Sequence, residues 1–458
     1  MTRQIHVCLL DMPTVSHNNY GLWAHPSNRH ADYKSLEFWL DVARLLERGL
    51  FDGLFFADVL GIAEGFGGGP QTALREGAHV PSHDPLLLIS AMASVTRHLA
   101  FAATVSTTYE PPFALARRMS TLDHLTKGRI GWNVVTSYLP TAAANFGFAA
   151  EMEHDARYER AEEYMEVCYK LWESSWADDA VLADRAGQIY TDPAKVRPID
   201  HSGPFFSVRG PHLAEPSPQR TPVIFQAGSS GRGAAFAARH AEGVFVGGYT
   251  YDGLASFVAE LRAKAAVAGR HPRQLKTFVH AHVLTAPSDA LAKAKLADFN
   301  RWSRAEGYIA HRFGAGLDLA RHPPERRLED IIAEGGPGSA HMARYPHRAD
   351  ATVGDIIQEI GQLESKRFFV AGTPVEVADT LEAWCERYDL DGFLLAQHTT
   401  PGTAADFIDL IVPELQKRGR YRRAYAPDET FRERLLGKGQ TGLPRGHPGH
   451  AWRQHRPI

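Results

Sequence analysis

The chain has 458 residues, 44% of them hydrophobic, and its 50 Lys and Arg against 53 Asp and Glu give a formal net charge of −3. That size allows a large buried core, and the balanced charge leaves no electrostatic footprint for nucleic acid. Three widely spaced cysteines, Cys8, Cys168 and Cys385, offer no disulfide framework and no zinc pattern, and fit reduced thiols in a cytoplasmic protein. The opening MTRQIHVCLLDM is too short and too polar for a signal peptide and reads as a first core strand. No apolar run approaches the roughly 18 residues that a bilayer span needs.

Short apolar runs at residues 5–10, 54–58, 101–105, 130–135, 223–227, 243–246, 277–284 and 392–396 predict strands. Their near-continuous hydrophobicity is what parallel strands buried on both faces require. Amphipathic stretches predict helices at 34–48, 85–97, 113–124, 158–172, 231–240, 254–268, 374–388 and 404–417, the first with Gly49 as its stop. Eight such steps predict an α/β fold, a (β/α)8 TIM barrel forming one domain over residues 1–437, with a doubly wound sheet as the competing architecture. Insertions are expected at about 60–82, 136–221 and 285–370, in the βα loops where lids and pockets are built. Gly335, Gly336 and Gly338 make the third a candidate lid. The tail, residues 438–458, lacks apolar periodicity and is expected to be disordered or ordered only against another subunit, with His447, His450 and His455 solvated.

Polar residues collect at the predicted strand ends. Asp58 closes LFFAD, where a barrel carboxylate can meet a ligand, although a helix cap is the plainer alternative. Thr104 sits near the end of the next strand. The run GRIGWNVVTSYLPTAAANFGF, residues 128–148, carries Trp132, Asn133, Thr136, Ser137 and Tyr138, the composition of a ligand-binding edge. His154 and Tyr158 lie four residues apart, so on a helix they share one face and can jointly bind an anion near the helix start. In QAGSSGR, residues 226–232, small residues let backbone amides approach a phosphate, and Ser229 and Ser230 add hydroxyls; the run is neither a Walker A loop nor a Rossmann fingerprint. His280 and His282 alternate onto one side of a strand, but without the further ligands of barrel hydrolases no metal site is expected. Cys8 reads as core rather than nucleophile.

Taken in order, GLWAHP, LERGLFDGLFFADVLG, RRMSTLDHLTKGRIGWNVVTS, EHDARYERAEEY, the GSSGR loop and DGFLL resemble the bacterial-luciferase-like flavin monooxygenases over nearly the whole chain. The branch is that of the nitrilotriacetate, dibenzothiophene-sulfone and long-chain-alkane monooxygenases. The resemblance implies a two-component monooxygenase using O2 and reduced FMN, the latter supplied by a separate NAD(P)H-dependent flavin reductase. It implies a small organic substrate, with organosulfur or alkane-like compounds favoured, because few basic residues adjoin the expected pocket. Asp58, Thr104, Asn133 and Thr136 are then expected around the flavin, and His154, Tyr158, Ser229 and Ser230 at its phosphate. Phe66, Trp132, Ser137 and Tyr138 are candidates for the substrate pocket. His17 is a candidate catalytic group, with a loop histidine lacking chemistry as the alternative. A homodimer or homotetramer is implied. Ser137 stands where some relatives of the alkane branch carry histidine, and the Gly-rich stretch 64–75 departs too, which leaves the substrate open. A deazaflavin-dependent oxidoreductase and a flavin-binding protein without turnover remain as alternatives, and the EHDARY and GSSGR motifs favour FMN over deazaflavin.

Overall fold

The computed structural model describes residues 3–228, 230–247, 251–312, 318–335, 348 and 350–454. Eight parallel strands form its centre: β1 (His6–Asp11), β2 (Gly53–Phe56), β3 (Ala100–Ser106), β4 (Ile130–Val135), β5 (Val223–Gln226), β6 (Gly243–Phe245), β7 (Lys276–Thr285) and β8 (Gly392–Ala396). Each pairs with its sequence neighbour, and β8 returns to pair with β1 through His6↔Gly392 to Leu10↔Ala396. The ring is closed, which removes the doubly wound alternative.

The period-two alternation of a strand sorts the apolar residues. Cys8, Phe55, Ala102, Phe225, Phe278 and Leu394 fill the barrel, joined from below by Phe431 and Leu435 of the helix Phe431–Leu436. Leu9, Leu54, Phe101, Ile224, Val279 and Phe393 point outward against the helical layer. Both faces are apolar, so the strands read as unbroken hydrophobic runs.

The first helix, Leu36–Arg48, starts at Ser35, whose Oγ accepts from Phe38 N at 3.4 Å. Its predicted stop works differently from a left-handed glycine. Gly49 has φ −80°, and the left-handed residue is Leu50 at +58°. Gly49 is instead required by contact, because a Cβ there would lie 2.3 Å from Ile408 Cγ1. A short strand absent from the sequence reading, Phe369–Gly372, extends the sheet by pairing with the outer half of β7.

The first and third insertions share a separate apolar core over the C-terminal mouth, built on Tyr20, Ala73, Tyr308, Leu328, Val353 and Ile356. Gly335 ends the helix Leu328–Glu334 with φ +73°, while Gly336 and Gly338 lie outside the described residues. The tail departs from expectation over residues 438–454, which fold back on their own barrel. Leu443 is buried, and His447, expected to be solvated, is 1% exposed, with Nε2 2.8 Å from His240 O and its ring edge-on to Tyr169. His450 is half-buried, with Nδ1 3.0 Å from Leu443 O; His455 lies outside the described residues. Isolated anchors between Gly and Pro produce no periodicity, which is why the tail read as unstructured. Among the described residues, no helix is long and apolar enough to cross a membrane.

Candidate active site

Three cavities adjoin at the C-terminal mouth. The first, about 330 Å³, is lined by Asp58, Thr136, Ser137, Tyr138, His154 and Tyr158, together with Arg157, Gln226 and Ala227. The second, about 370 Å³, shares Asp58 and Ser137 with it and adds Thr104, Ser106, His79, Asp84, Glu110 and Arg118. The third, about 240 Å³, shares Ala227 and is lined mainly by Phe245, Val246, Phe278, His280 and Leu394. Residues from β2, β3, β4 and β5 thus meet in one space because their strands all end on this face.

In the first cavity, His154 opens the helix His154–Tyr169, and its ring lies 5.2 Å from that of Tyr158, so the shared helical face is present. The helix amides are not the anion site that the sequence suggested. The Glu153 carboxylate caps them, accepting from Asp155 N at 2.8 Å and Ala156 N at 3.1 Å. A second helix start, that of Gly231–His240, lies beside Tyr158 and is capped by Ser230, whose Oγ accepts from Gly233 N at 3.0 Å. Ser230 and Gln226 both hydrogen-bond the Tyr158 phenol, while burial pushes that phenol above its ordinary pKa, so it stays protonated and can donate. Gly233 permits this approach, since a Cβ there would lie 2.7 Å from Tyr158 Oη. Ser229 lies outside the described residues.

At the mouth itself, Asn133 Nδ2 donates to Thr104 Oγ1 at 2.9 Å, and Thr104 Oγ1 donates to Phe56 O at 2.8 Å. The chain of bonds leaves Asn133 Oδ1 buried with no hydrogen-bond partner, and Gln226 Oε1 and Arg157 Nε share that condition, although the Arg157 guanidinium is ion-paired with Glu151 through its other end. Buried polar atoms without partners are costly unless a ligand completes them. Asp58 stands where the first two cavities meet; burial, with the Asp84 carboxylate adding to it, pushes its pKa up to about 7. Ser137 Oγ donates to Ser106 Oγ at 2.9 Å, and Tyr138 is half-exposed at the rim.

Two expected pocket residues lie elsewhere. Trp132 is fully buried on the outer face of β4, where Nε1 donates to Val105 O at 3.1 Å and the ring meets Trp172. Alternation decides this: Asn133 points inward, so Trp132 cannot. Phe66 packs against the insertion core and lines none of these three cavities. His17 lines none of the three cavities either, but its ring stands 5.1 Å from that of His79, which lines the second. Burial and the surrounding histidines hold His17 well below its ordinary pKa, so the ring is neutral. The His280 and His282 rings lie 4.6 Å apart, and among the described residues no group of three or more potential ligands converges on a metal position.

Sequence reasoning missed Arg157, Gln226 and His79. The first two were within reach, Arg157 inside the EHDARY motif and Gln226 at the end of β5. His79 carried no signal, because it enters the site from a left-handed position, φ +59°, within an insertion.

The luciferase-like monooxygenase family profile matches residues 19–390. The chain belongs to that family. It is 49% identical to the long-chain alkane monooxygenase of Geobacillus thermodenitrificans, over 98% of this chain and 97% of that protein. Identity to the dimethyl-sulfide monooxygenase of Hyphomicrobium sulfonivorans is 45%, over 99% of this chain and 94% of the relative. The crystal structure of a riboflavin lyase with modified FMN and riboflavin matches with TM-score 0.89 at 37% identity, covering 98% of this chain and all of that one. The luciferase-like chain is a flavin-dependent monooxygenase. Its cavities fit FMN: a phenol, a hydroxyl and a guanidinium converge at one end, an apolar mouth lies at the other, and orphaned amide oxygens stand between them.

Proposed function

We propose that this monooxygenase acts on a small neutral substrate, organosulfur or alkane-like, in the roughly 370 Å³ chamber beside Asp58, with reduced FMN arriving from a separate NAD(P)H-dependent reductase. The carrying observation is that an anion-ready cavity runs into the barrel mouth and then into a second chamber, all on one face. Arg157, Tyr158, His154 and Ser230 hold the phosphate, and Ser229 is assigned there with them from its place in the loop. Thr104, Asn133, Thr136 and Gln226 orient the flavin by hydrogen bonds. Reduced FMN, when bound, supplies the electrons with which O2 is activated. Asp58, at the junction, is half protonated near neutral pH and can pass or hold a proton between the two cavities. Ser137 and Tyr138 border the substrate side. Asp58, Asp84 and Glu110 make the chamber unfavourable to polycarboxylates, and its Arg118 is already paired with Glu110. The setting is cytoplasmic and the assembly a homodimer or homotetramer.

The test supplies the chain with reduced FMN from a flavin reductase and offers dimethyl sulfide, a medium-chain alkane and nitrilotriacetate in parallel. Product from either neutral compound, with none from the triacid, is expected. Oxidation of nitrilotriacetate alone would overturn the substrate class, and oxygen consumed without product from any compound would favour a binding protein without coupled turnover.

A further inference from the structure

One buried cluster is left unused by the flavin contacts. Tyr20, in the loop after β1, is fully buried, and its Oη lies 2.9 Å from His79 Nε2 and 2.9 Å from His311 Nδ1. A phenol donates one hydrogen bond and accepts another, so it can serve both rings when one presents N–H and the other a bare nitrogen. The His79 and His311 rings meet at 4.2 Å, and Tyr308 stands edge-on to Tyr20 at 4.7 Å. Three segments remote in sequence therefore converge on one hydroxyl: the first βα loop, the first insertion and the helix Ala305–Arg312 of the third.

His79 is the member that reaches the chamber holding Asp58 and Thr104. We propose that Tyr20 is a positioning residue of this chamber, its hydroxyl fixing His79 in the chamber wall and tying that wall to His311 of the third insertion. The role rests on the chamber being the place where substrate meets flavin.

The charged and titratable groups around the cluster agree with a neutral latch. The His17 ring lies tilted against that of His79, and His30, His280 and His311 act on His17 through space. Lys366 stands 3.3 Å from the Tyr308 ring centroid. At the rim, Glu76 is engaged by Arg75 at 2.9 Å and by Arg304 at 3.7 Å. Burial holds His79 down to about 4, against 6.5 for the free ring. The opened state therefore binds more protons between those values, so the tie is complete above pH 6.5 and weakens as pH falls towards 4.

Diethyl pyrocarbonate labelling of the full chain, mapped by mass spectrometry across pH, tests the assignment. In wild type, His79 should stay protected. In Tyr20→Phe its labelling should rise roughly tenfold, the order expected from one lost buried hydrogen bond, and its pH midpoint should move up towards that of a free imidazole. His240 and His447, buried elsewhere, should stay protected, and FMN affinity should not change. With dimethyl sulfide as probe, the variant should divert oxygen from product to hydrogen peroxide. His311→Asn breaks the other end of the tie and should release His79 in the same way should Tyr20→Phe not fold. Unchanged His79 labelling and midpoint in a folded variant overturns the proposal. Wild type that ignores the probe bears on the proposed substrate instead, and the labelling still decides the positioning role.

Discussion

The two mouths of the barrel share their strands but treat polar groups in opposite ways. At the N-terminal mouth, Arg432 is fully buried, yet its guanidinium donates to Glu242 at 2.6 and 3.0 Å and to the carbonyls of Gln219, Thr221, Pro222 and Thr441. Gln219 in turn donates through Nε2 to Asp123 at 2.7 Å and to Ile130 O at 2.9 Å. At the C-terminal mouth, Asn133 Oδ1, Gln226 Oε1, Arg157 Nε and both polar atoms of the Gln397 amide are buried without hydrogen-bond partners. Around Arg432 the lower mouth completes its hydrogen bonds within the chain. On the proposed function, the upper mouth holds its unpartnered groups open for the flavin, at a cost in stability that binding returns.

The largest break in this contrast is Arg432→Met, which strands the buried Glu242 carboxylate. Unfolding free energy should fall by about 3–5 kcal/mol in denaturant titrations, while the folded fraction keeps its FMN affinity. Arg157→Ala should do the reverse. It removes a charge-assisted bond worth about 1.5–3 kcal/mol, weakening FMN roughly tenfold to a hundredfold in fluorescence titrations, with riboflavin, which lacks the phosphate, unaffected.

Much of this contrast was legible in the sequence and part was not. All eight barrel strands could be read because apolar residues line both of their faces. Asp58, Thr104 and Tyr158 could be read because strand ends and one helix face carry them to the same mouth. Trp132 was misplaced although alternation already assigned it to the face opposite Asn133. Tyr20, His79 and His311 could not be read, since they meet only once two insertions have folded over the barrel. His447 was misread for a related reason, since it is buried against His240 and Tyr169, far away in the sequence, and the burial of Arg432 against Glu242 carried no signal for the same reason.

The pH dependence sharpens the upper mouth further. Asp58 should produce an inflection near pH 7 in the flavin perturbation spectrum, absent in Asp58→Asn. In Asp84→Asn it should move lower, because a like charge has gone. The raised Asp58 value also means that the folded chain holds a proton the unfolded one releases, so its contribution to stability falls as pH rises from about 4 to 7. The smallest effect is expected at the tail, where His447→Ala should lower stability by about 1 kcal/mol in the same denaturant titrations, leaving flavin binding unchanged.

On the proposed function, reduced FMN completes the unpartnered groups of the C-terminal mouth. Anaerobic titration of the full chain with reduced FMN, followed by absorbance in wild type and in Arg157→Ala, tests it most directly. Wild type should bind saturably at one flavin per chain, and the variant far more weakly. Absence of saturation, or equal affinity in the two proteins, would contradict it.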